Sequence, residues 1–351
     1  MGSVKRLAEE VQYGLSHALP KLRKTVIRKL ALAVGAMIEK QTPNTVELAN
    51  LLPLETERQD MREQWLRRLL KNTLLDCAVI MEPFARQELA EAGNRGQTIL
   101  LSLDQTDLGN RMALLMLSLR IGNRGLPLLW IAEAGTANIG YEKQKQLLEQ
   151  VLCWLPANAQ VMLLADRFYP SRELFEWLHR HHWRYRLRLK GNLLADSGYG
   201  DEVTTGELAQ GVKERYLPNV RLFARGIMTH LGILHESEHP EPWIIAMDCR
   251  PTRTAVLDYT ARWGIEPMFS DFKSRGFELA DSQLGQADRL ERLVLIMALA
   301  MHWCVCVGRT EAANHPTPLE KKRESKPTRS IGVLKSSIVA WSPCSNEDCA
   351  G

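Results

Sequence analysis

Residues 97–104 read QTILLSLD, and residues 159–166 read AQVMLLAD. Each stretch is a short apolar run that ends in a carboxylate, at Asp104 and at Asp166. Runs of this length predict buried β-strands. In α/β sheets, ligand sites lie at the carboxyl ends of the strands, so both aspartates are candidate site residues. Aspartate is also common at ordinary strand ends and turns, so this pair alone does not decide the function.

The sequence around these runs predicts a mixed α/β sheet. A hairpin is indicated after the first strand, because two apolar runs flank the turn Gly122–Gly125. Two segments with helical periodicity and one that alternates as a strand does complete the pattern. The order strand-strand-strand-helix-strand-helix-strand is therefore predicted. Its remaining elements are the runs 111–120 and 126–131, the helices 141–152 and 171–180, and the strand 183–190.

The chain as a whole predicts five regions. The first has apolar residues at three- and four-residue spacing and no strand pattern, whereas the third has Gly, Pro and short strand-like runs. We predict, in order, a helical N-terminal domain, the first part of the α/β core, a β insertion, the helical second part of the core, and a basic, disordered tail. Their bounds are 1–92, 93–190, 191–250, 251–308 and 309–351.

Composition excludes several classes of protein. With 351 residues, 45% hydrophobic and 25% charged, the chain is neither disordered throughout nor fibrous. A net charge of +4 permits a nucleic-acid partner without requiring one. The seven cysteines form no CxxC pair, which argues against a zinc ribbon. The longest apolar run, 293–307, is broken by His302, so we expect no membrane segment and a cytoplasmic protein.

Residues 258–277 read DYTARWGIEPMFSDFKSRGF. Four polar residues recur here at offsets of 0, 3, 7 and 14, namely Tyr259, Arg262, Glu266 and Lys273. On an α-helix with about 100° per residue, these four lie within roughly 60° of one another. We predict a long helix over 254–273, distorted at Pro267, that presents this polar stripe opposite an apolar face. A solvated helix face with charge pairs would produce a similar stripe.

The spacing Tyr-(2)-Arg-(3)-Glu-(6)-Lys of these residues resembles the signature of bacterial insertion-sequence DDE transposases of the IS-four family. Asp104 in LLSLDQTD and Asp166 in LLADRFYPS resemble the first and second catalytic aspartates of that family. The similarity covers about residues 20–308. It implies an RNase H-like mixed-sheet catalytic core with a β-strand insertion, preceded by an all-helical N-terminal domain.

The same resemblance implies an activity on DNA. Members of the family bind the inverted-repeat ends of their element, pair two ends in a homodimeric complex, cleave the DNA, and join the 3′ ends to target DNA. Asp104, Asp166 and Glu266 would be both the catalytic residues and the ligands of two Mg²⁺ ions, for which Mn²⁺ can substitute. Asp107 is an alternative first ligand. The residues implied to bind DNA phosphates are Tyr259, Arg262 and Lys273.

Further DNA contacts are predicted at aromatic residues, along one strand and on the N-terminal helices. Trp243 resembles the family's base-stacking tryptophan, although a core aromatic of the insertion would fit the pattern equally. Trp263 is a second aromatic candidate. A row of basic residues at period two would follow a DNA backbone or form an exposed strand edge: Arg184, Arg186, Arg188 and Lys190. The inverted repeat would be read by basic residues of the N-terminal helices, namely Arg23, Lys24, Arg28, Lys29, Arg62, Arg67 and Arg68.

Two other functions remain open from the sequence. An inactive, element-derived DNA-binding protein would keep the N-terminal helices and lose the chemistry. An RNase H-like nuclease without strand transfer would explain the carboxylates but not the Tyr-Arg-Lys stripe. The expected partner in each case is double-stranded DNA, and the expected location is the bacterial nucleoid.

Overall fold

A computed structural model describes residues 3–198, 202–224, 226–236, 240–275, 277, 279, 282 and 284–315. The chain divides into two compact units. One contains the described residues up to 84 and from 269 onward, and the other contains residues 85–268.

The first unit is helical. Helices α1 and α2 approach closely because Gly35 carries no side chain, and a Cβ there would meet the Ala8 backbone nitrogen at 2.9 Å. Helix α3 begins at an Asn44 cap, whose side chain accepts from the amides of Val46 and Glu47. The helices that begin in this part of the chain are α1 (Ser3–Ala18), α2 (Lys24–Lys40), α3 (Thr45–Leu51), α4 (Gln59–Leu70) and α5 (Cys77–Ala92).

A long C-terminal helix, α11 (Ala287–Asn314), belongs to the same unit. Its residues 287–312 are apolar and long enough to cross a membrane by length and composition, which the sequence analysis did not anticipate. However, 61% of the most apolar window is buried within the protein, as in a core helix. The helix also continues past 308, where we expected the tail to begin. The rest of the predicted tail, 316–351, lies outside the described residues.

The second unit is built on one ten-stranded mixed sheet with the order β3-β2-β1-β4-β5-β10-β9-β8-β6-β7. Strand β1 pairs antiparallel with β2 and parallel with β4, and β4 pairs parallel with β5. The predicted α/β order is confirmed from β1 through β5. The strands are β1 (Ile99–Leu108), β2 (Met112–Ile121), β3 (Arg124–Ala134), β4 (Val161–Ala165), β5 (Arg184–Arg188), β6 (Leu194–Asp196), β7 (Val203–Thr204), β8 (Glu214–Leu222), β9 (Ile227–Leu234) and β10 (Trp243–Met247).

The strands of residues 191–250 extend this sheet. We predicted an insertion that does not continue the α/β pattern, whereas β10 pairs antiparallel with β5 and carries β9, β8, β6 and β7 outward from it. All five residues of β10 are buried, so it forms an interior strand. The helices that begin in this unit are α6 (Tyr141–Leu152), α7 (Arg172–Arg180), α8 (Thr205–Ala209), α9 (Arg253–Leu257) and α10 (Ile265–Ser270).

The predicted long helix over 254–273 is wrong. The chain instead forms α9, a 3₁₀ turn over Asp258–Gly264, α10, and a π-helical turn over Asp271–Arg275. Pro267 lies in the first turn of α10, where its missing N–H costs little, so the break comes earlier than we expected. At Ile265 the backbone N–H bonds to the carbonyls of Arg262 and Trp263, which is the tighter 3₁₀ pattern.

Candidate active site

The register of two parallel strands brings Asp104 and Asp166 together. Leu103 of β1 pairs with Ala165, the last residue of β4, so the two aspartates are the next residues along neighbouring strands. Strand β1 continues antiparallel to β2 as far as Leu108. Asp104 therefore lies inside its strand, not at the end as predicted, but at the end of the parallel pairing. The alternative ligand Asp107 is exposed and accepts a hydrogen bond from the Gln105 side chain at 3.1 Å.

Two buried tyrosines hydrogen-bond to these carboxylates. The Tyr169 hydroxyl donates to Asp104 Oδ1, and the Tyr259 hydroxyl donates to Asp166 Oδ1, each at 3.3 Å. Tyr169 lies in the turn after β4, where its amide donates to the Asp166 carbonyl. The sequence analysis quoted this segment within LLADRFYPS but assigned Tyr169 no role. Its signal was an aromatic hydroxyl three residues after a candidate aspartate.

Arg262 joins the first aspartate to the glutamate. Its Nη1 donates to Asp104 Oδ2 and its Nη2 to Glu266 Oε1, both at 2.8 Å. The 3₁₀ turn favours this arrangement, because residues three apart lie on one face and Arg262 therefore points the same way as Tyr259. The guanidinium carbon lies 5.6 Å from the centre of the Tyr259 ring. Thus Tyr259 contacts Asp166, and Arg262 contacts Asp104 and Glu266, although no continuous helix carries the three residues of the stripe.

The charges of the site alter its protonation. Burial raises the pKa of Asp104 from 3.8 to about 6, against the opposing effect of Arg262, and the nearby Asp166 charge raises it further. Burial also raises the pKa of Tyr259 and of Tyr169, so both phenols stay protonated as donors. Burial lowers the pKa of Arg262, but its acidic neighbours more than compensate and leave it above the ordinary value. The site thus pairs a fixed cation with a carboxylate that resists ionisation.

Arg186 anchors the beginning of the 3₁₀ turn. Its side chain is 1% exposed and donates to the Ala255 carbonyl at 2.8 Å, to Asp248 at 2.7 Å and to Asp258 at 3.1 Å. Asp258 directly precedes Tyr259. The prediction that Arg186 contacts DNA is therefore wrong, because α9 and the turn cover this face of β5 and bury the guanidinium.

Arg120 anchors the other end of the turn. Its Nη1 donates to the Ala261 carbonyl at 2.7 Å, which an α-helix would have used for the Ile265 amide. The same side chain fills the space beside Gly264, where a Cβ would collide with it. Two arginines from β2 and β5 thus hold the segment that carries Tyr259 and Arg262. Arg120 was not recognised from the sequence, and Arg186 was predicted to contact DNA, not to hold this turn.

Trp243 is buried, and this argues against the base-stacking role predicted for it. It packs in the core around β10, with its ring edge-on to Tyr259 at 5.8 Å and to Trp263 at 5.5 Å between centroids. The exposed aromatic rings of this region are instead Trp263 and Phe168. The Phe168 ring lies beneath Lys190 Nζ, 5.0 Å from its centroid.

The other predicted DNA contacts have varied surroundings. Arg184 pairs with Asp248 at 3.4 Å, and Arg188 pairs with Glu241 at 3.5 Å. Lys190 follows β5 and is half-buried beside Phe168. Lys273 lies on the π-helical turn, which belongs to the first unit, and its phosphate contact stays a prediction.

The N-terminal basic residues also divide into two groups. Arg62 is half-buried and donates to backbone carbonyls at the end of α3 and in the loop that follows it, including those of Asn50 and Leu52, so its role is structural. Exposed basic side chains lie at the start of α2 and the end of α4: Arg23, Lys24, Arg28, Lys29, Arg67 and Arg68.

The donor set suits a hard divalent cation. Asp104, Asp166 and Glu266 offer only carboxylate oxygens, the ligands that Mg²⁺ and Mn²⁺ prefer. Asp104 is mostly buried and Glu266 is half-exposed, which leaves a side open to a substrate. Among the described residues the three carboxylates are not gathered within 4.8 Å of one another, and Arg262 lies between two of them.

A family model for the transposase DDE domain matches residues 140–303 of this chain. The match covers just under half of the protein and contains Asp166, Glu266 and the whole 258–273 segment, while Asp104 precedes it. It supports a DDE transposase, a class with an RNase H-like fold that acts on DNA and typically uses divalent metals. The mixed sheet agrees with that fold. No curated protein matches the chain significantly.

Proposed function

We propose that this protein is an insertion-sequence transposase of the IS-four family, which cleaves DNA at the inverted-repeat ends of its element and joins the 3′ ends to target DNA. The observation that carries the proposal is the pairing of Leu103 with Ala165. It sets Asp104 beside Asp166, while Arg262 links Asp104 to Glu266. The match to the transposase DDE domain supports the same class.

The carboxylates would act as metal ligands. Asp104, Asp166 and Glu266 would hold two divalent cations, and in ionised form they supply the negative charge that such binding needs. When bound, two cations stabilise the attacking and leaving oxygens of an in-line phosphoryl transfer. The attacking group is a water in cleavage and a DNA 3′-hydroxyl in joining, so no covalent protein intermediate is needed.

The remaining polar residues would position the DNA. Arg262 and Lys273 are suited to phosphate oxygens, and the Tyr259 hydroxyl holds Asp166 in place. Phe168, two residues after Asp166, and Trp263, next to Arg262, have exposed rings, so we assign base stacking to these residues in place of Trp243. The exposed basic ends of α2 and α4 would bind the backbone of the inverted repeat. Two protomers would pair two ends in one complex.

Cleavage of a labelled duplex that carries the element's own terminal repeats tests the proposal. Nicking at the element boundary is expected with Mg²⁺ or Mn²⁺ and not with EDTA. Asp104→Asn, Asp166→Asn and Glu266→Gln should each lower the rate by at least about 10³-fold while end binding is retained. Asp107→Asn is the matched control, because it removes an exposed carboxylate from the same strand.

Three outcomes would change the assignment. Loss of cleavage in Asp107→Asn with activity retained in Asp104→Asn would exchange the first ligand. End binding without cutting in any metal would favour an inactive, DNA-binding descendant. Cutting without joining of 3′ ends would favour a nuclease.

A further inference from the structure

Arg262 occupies a position between two of the proposed metal ligands. Its two terminal nitrogens bind different carboxylates, Nη1 binding Asp104 and Nη2 binding Glu266. A guanidinium that recognises one carboxylate commonly binds it with both nitrogens, so this is a bridge between two acids. The side chain is 9% exposed and is therefore not in position to meet a DNA backbone from solvent.

The same carboxylates cannot serve Arg262 and a divalent cation equally well. Mg²⁺ binds oxygens at about 2.1 Å and gathers them closely around itself. The guanidinium instead holds Asp104 and Glu266 on its two arms, and the three acids do not converge within 4.8 Å among the described residues. Its positive charge would also repel a cation that approached Asp104. Binding of the cation and the bridge of Arg262 therefore compete.

We propose that Arg262 is an interlock between metal binding and DNA binding. It holds Asp104 and Glu266 until a divalent cation takes these carboxylates, and the released guanidinium then binds a phosphate of the DNA. This inference rests on the proposed metal-dependent function and adds a regulation of the same site. It makes the metal and the DNA phosphate mutually favourable ligands, since each favours the conformation in which the bridge is broken.

The bridge also gives the interlock a resting structure. Without a cation, three neighbouring carboxylates would repel one another, and the guanidinium offsets that repulsion. Arg120 bonds to the Ala261 carbonyl, and Arg186 bonds to the Ala255 carbonyl and the Asp258 carboxylate. Neither of these bonds involves the Arg262 side chain. The long side chain of Arg262 can therefore swing away while the backbone that carries it stays in place.

Cation affinity in the absence of DNA is the first test. The full chain is titrated with Tb³⁺, followed by luminescence, and with Mg²⁺, followed by calorimetry. Arg262→Gln should bind either ion about tenfold more tightly than the wild type, because the competing charge is gone. Arg262→Lys, which keeps the charge but cannot bridge two acids as the fork does, should lie between them.

Arg184→Gln is the matched control for this titration. It removes the same charge from β5, but Arg184 pairs in register with Met162 near the beginning of β4, whereas Asp166 follows the end of β4. Its cation affinity should stay within twofold of the wild type. An Arg262→Gln protein with unchanged or weaker affinity, and a native circular dichroism spectrum, would overturn the interlock.

Coupling to DNA is the second test. Affinity for the terminal-repeat duplex is measured with Mg²⁺ and with EDTA at equal ionic strength, before cleavage becomes measurable. Mg²⁺ should tighten binding several-fold in the wild type and have little effect in Arg262→Gln. Equal enhancement in both proteins would overturn the interlock. Failure of every variant to bind either ion would instead overturn the proposed metal site itself, so the two failures are distinguishable.

Discussion

The candidate site is assembled from two regions that position their residues in different ways: strands β1 and β4, and the segment 258–264. Asp104 and Asp166 are placed by a backbone ladder whose register is fixed by buried apolar residues. Tyr259 and Arg262 lie on a single 3₁₀ turn that Arg120 and Arg186 hold by side-chain hydrogen bonds. Many backbone hydrogen bonds together fix the position of a strand in a sheet, whereas the position of this turn depends on the hydrogen bonds of two side chains. The aspartates should therefore tolerate distant changes better than Tyr259 and Arg262 do.

The largest effect is expected when the anchor of the turn is removed. Arg186→Met leaves Asp248 and Asp258 without their buried partner, which should cost about 3–5 kcal/mol in the free energy of unfolding. Urea denaturation followed by circular dichroism measures it. Arg184→Met is the control, since Arg184 is partly exposed and pairs with the same Asp248, and it should cost less than about 1 kcal/mol. Equal losses of stability in the two variants would show that the buried Arg186 contributes no more than the partly exposed Arg184.

The strand region is tested through the protonation of Asp104. Because its pKa rises to about 6 on folding, the folded state binds this proton more tightly than the unfolded state does. This contribution to stability is complete below about pH 4 and is lost as the pH rises to about 6, with a magnitude on the order of 3 kcal/mol.

Asp104→Asn removes that titration. In EDTA, the stability of the wild type relative to Asp104→Asn should fall between pH 4 and 6 and stay level above that range. Denaturation at a series of pH values measures the difference. A difference that rises with pH would mean that Arg262 outweighs burial and that the pKa of Asp104 is lowered.

A methyl group tests the far end of the turn. Gly264→Ala places a Cβ against Arg120 and should cost about 1–3 kcal/mol and reduce cleavage. Gly140→Ala, at a position with open space and a negative φ, should change stability by less than about 1 kcal/mol. The double variant Arg120→Ala with Gly264→Ala should lose less than the sum of the single changes. If the losses of stability add, the effect of Gly264→Ala does not act through Arg120.

The smallest effects are expected from the two phenols. Tyr169→Phe and Tyr259→Phe each remove one hydrogen bond to a carboxylate and should cost about 1 kcal/mol. Since the Tyr169 hydrogen bond lowers the pKa of Asp104, Tyr169→Phe should move the pH at which the Asp104 contribution to stability is lost upward. Tyr259→Phe should leave that transition nearly in place. A reversed order would assign the hydroxyls to the opposite aspartates.

Local patterns predicted much of the fold. The order of elements from β1 to β5 follows from apolar runs and helical periodicity, which report which face of a segment is buried. Strand β10 also lies in the third region, where short strand-like runs were predicted. The prediction of a long helix over 254–273 was wrong because periodicity reports nothing about hydrogen bonds from distant side chains. Here Arg120 of β2 donates to the Ala261 carbonyl, which an α-helix would have used for its own backbone hydrogen bond.

For the candidate site, the ends of two apolar runs indicated Asp104 and Asp166, and spacing indicated Tyr259, Arg262 and Glu266. The structure links these five residues through one strand pairing and three hydrogen bonds. By itself the sequence determined the types of these residues and their order along the chain. Only the tertiary structure decided that Arg186 points into the core, that Trp243 is packed between other rings, and that Tyr169 joins the site. The physical reason is that burial depends on which distant segment covers a face, and the pattern of a single strand or turn does not contain that information.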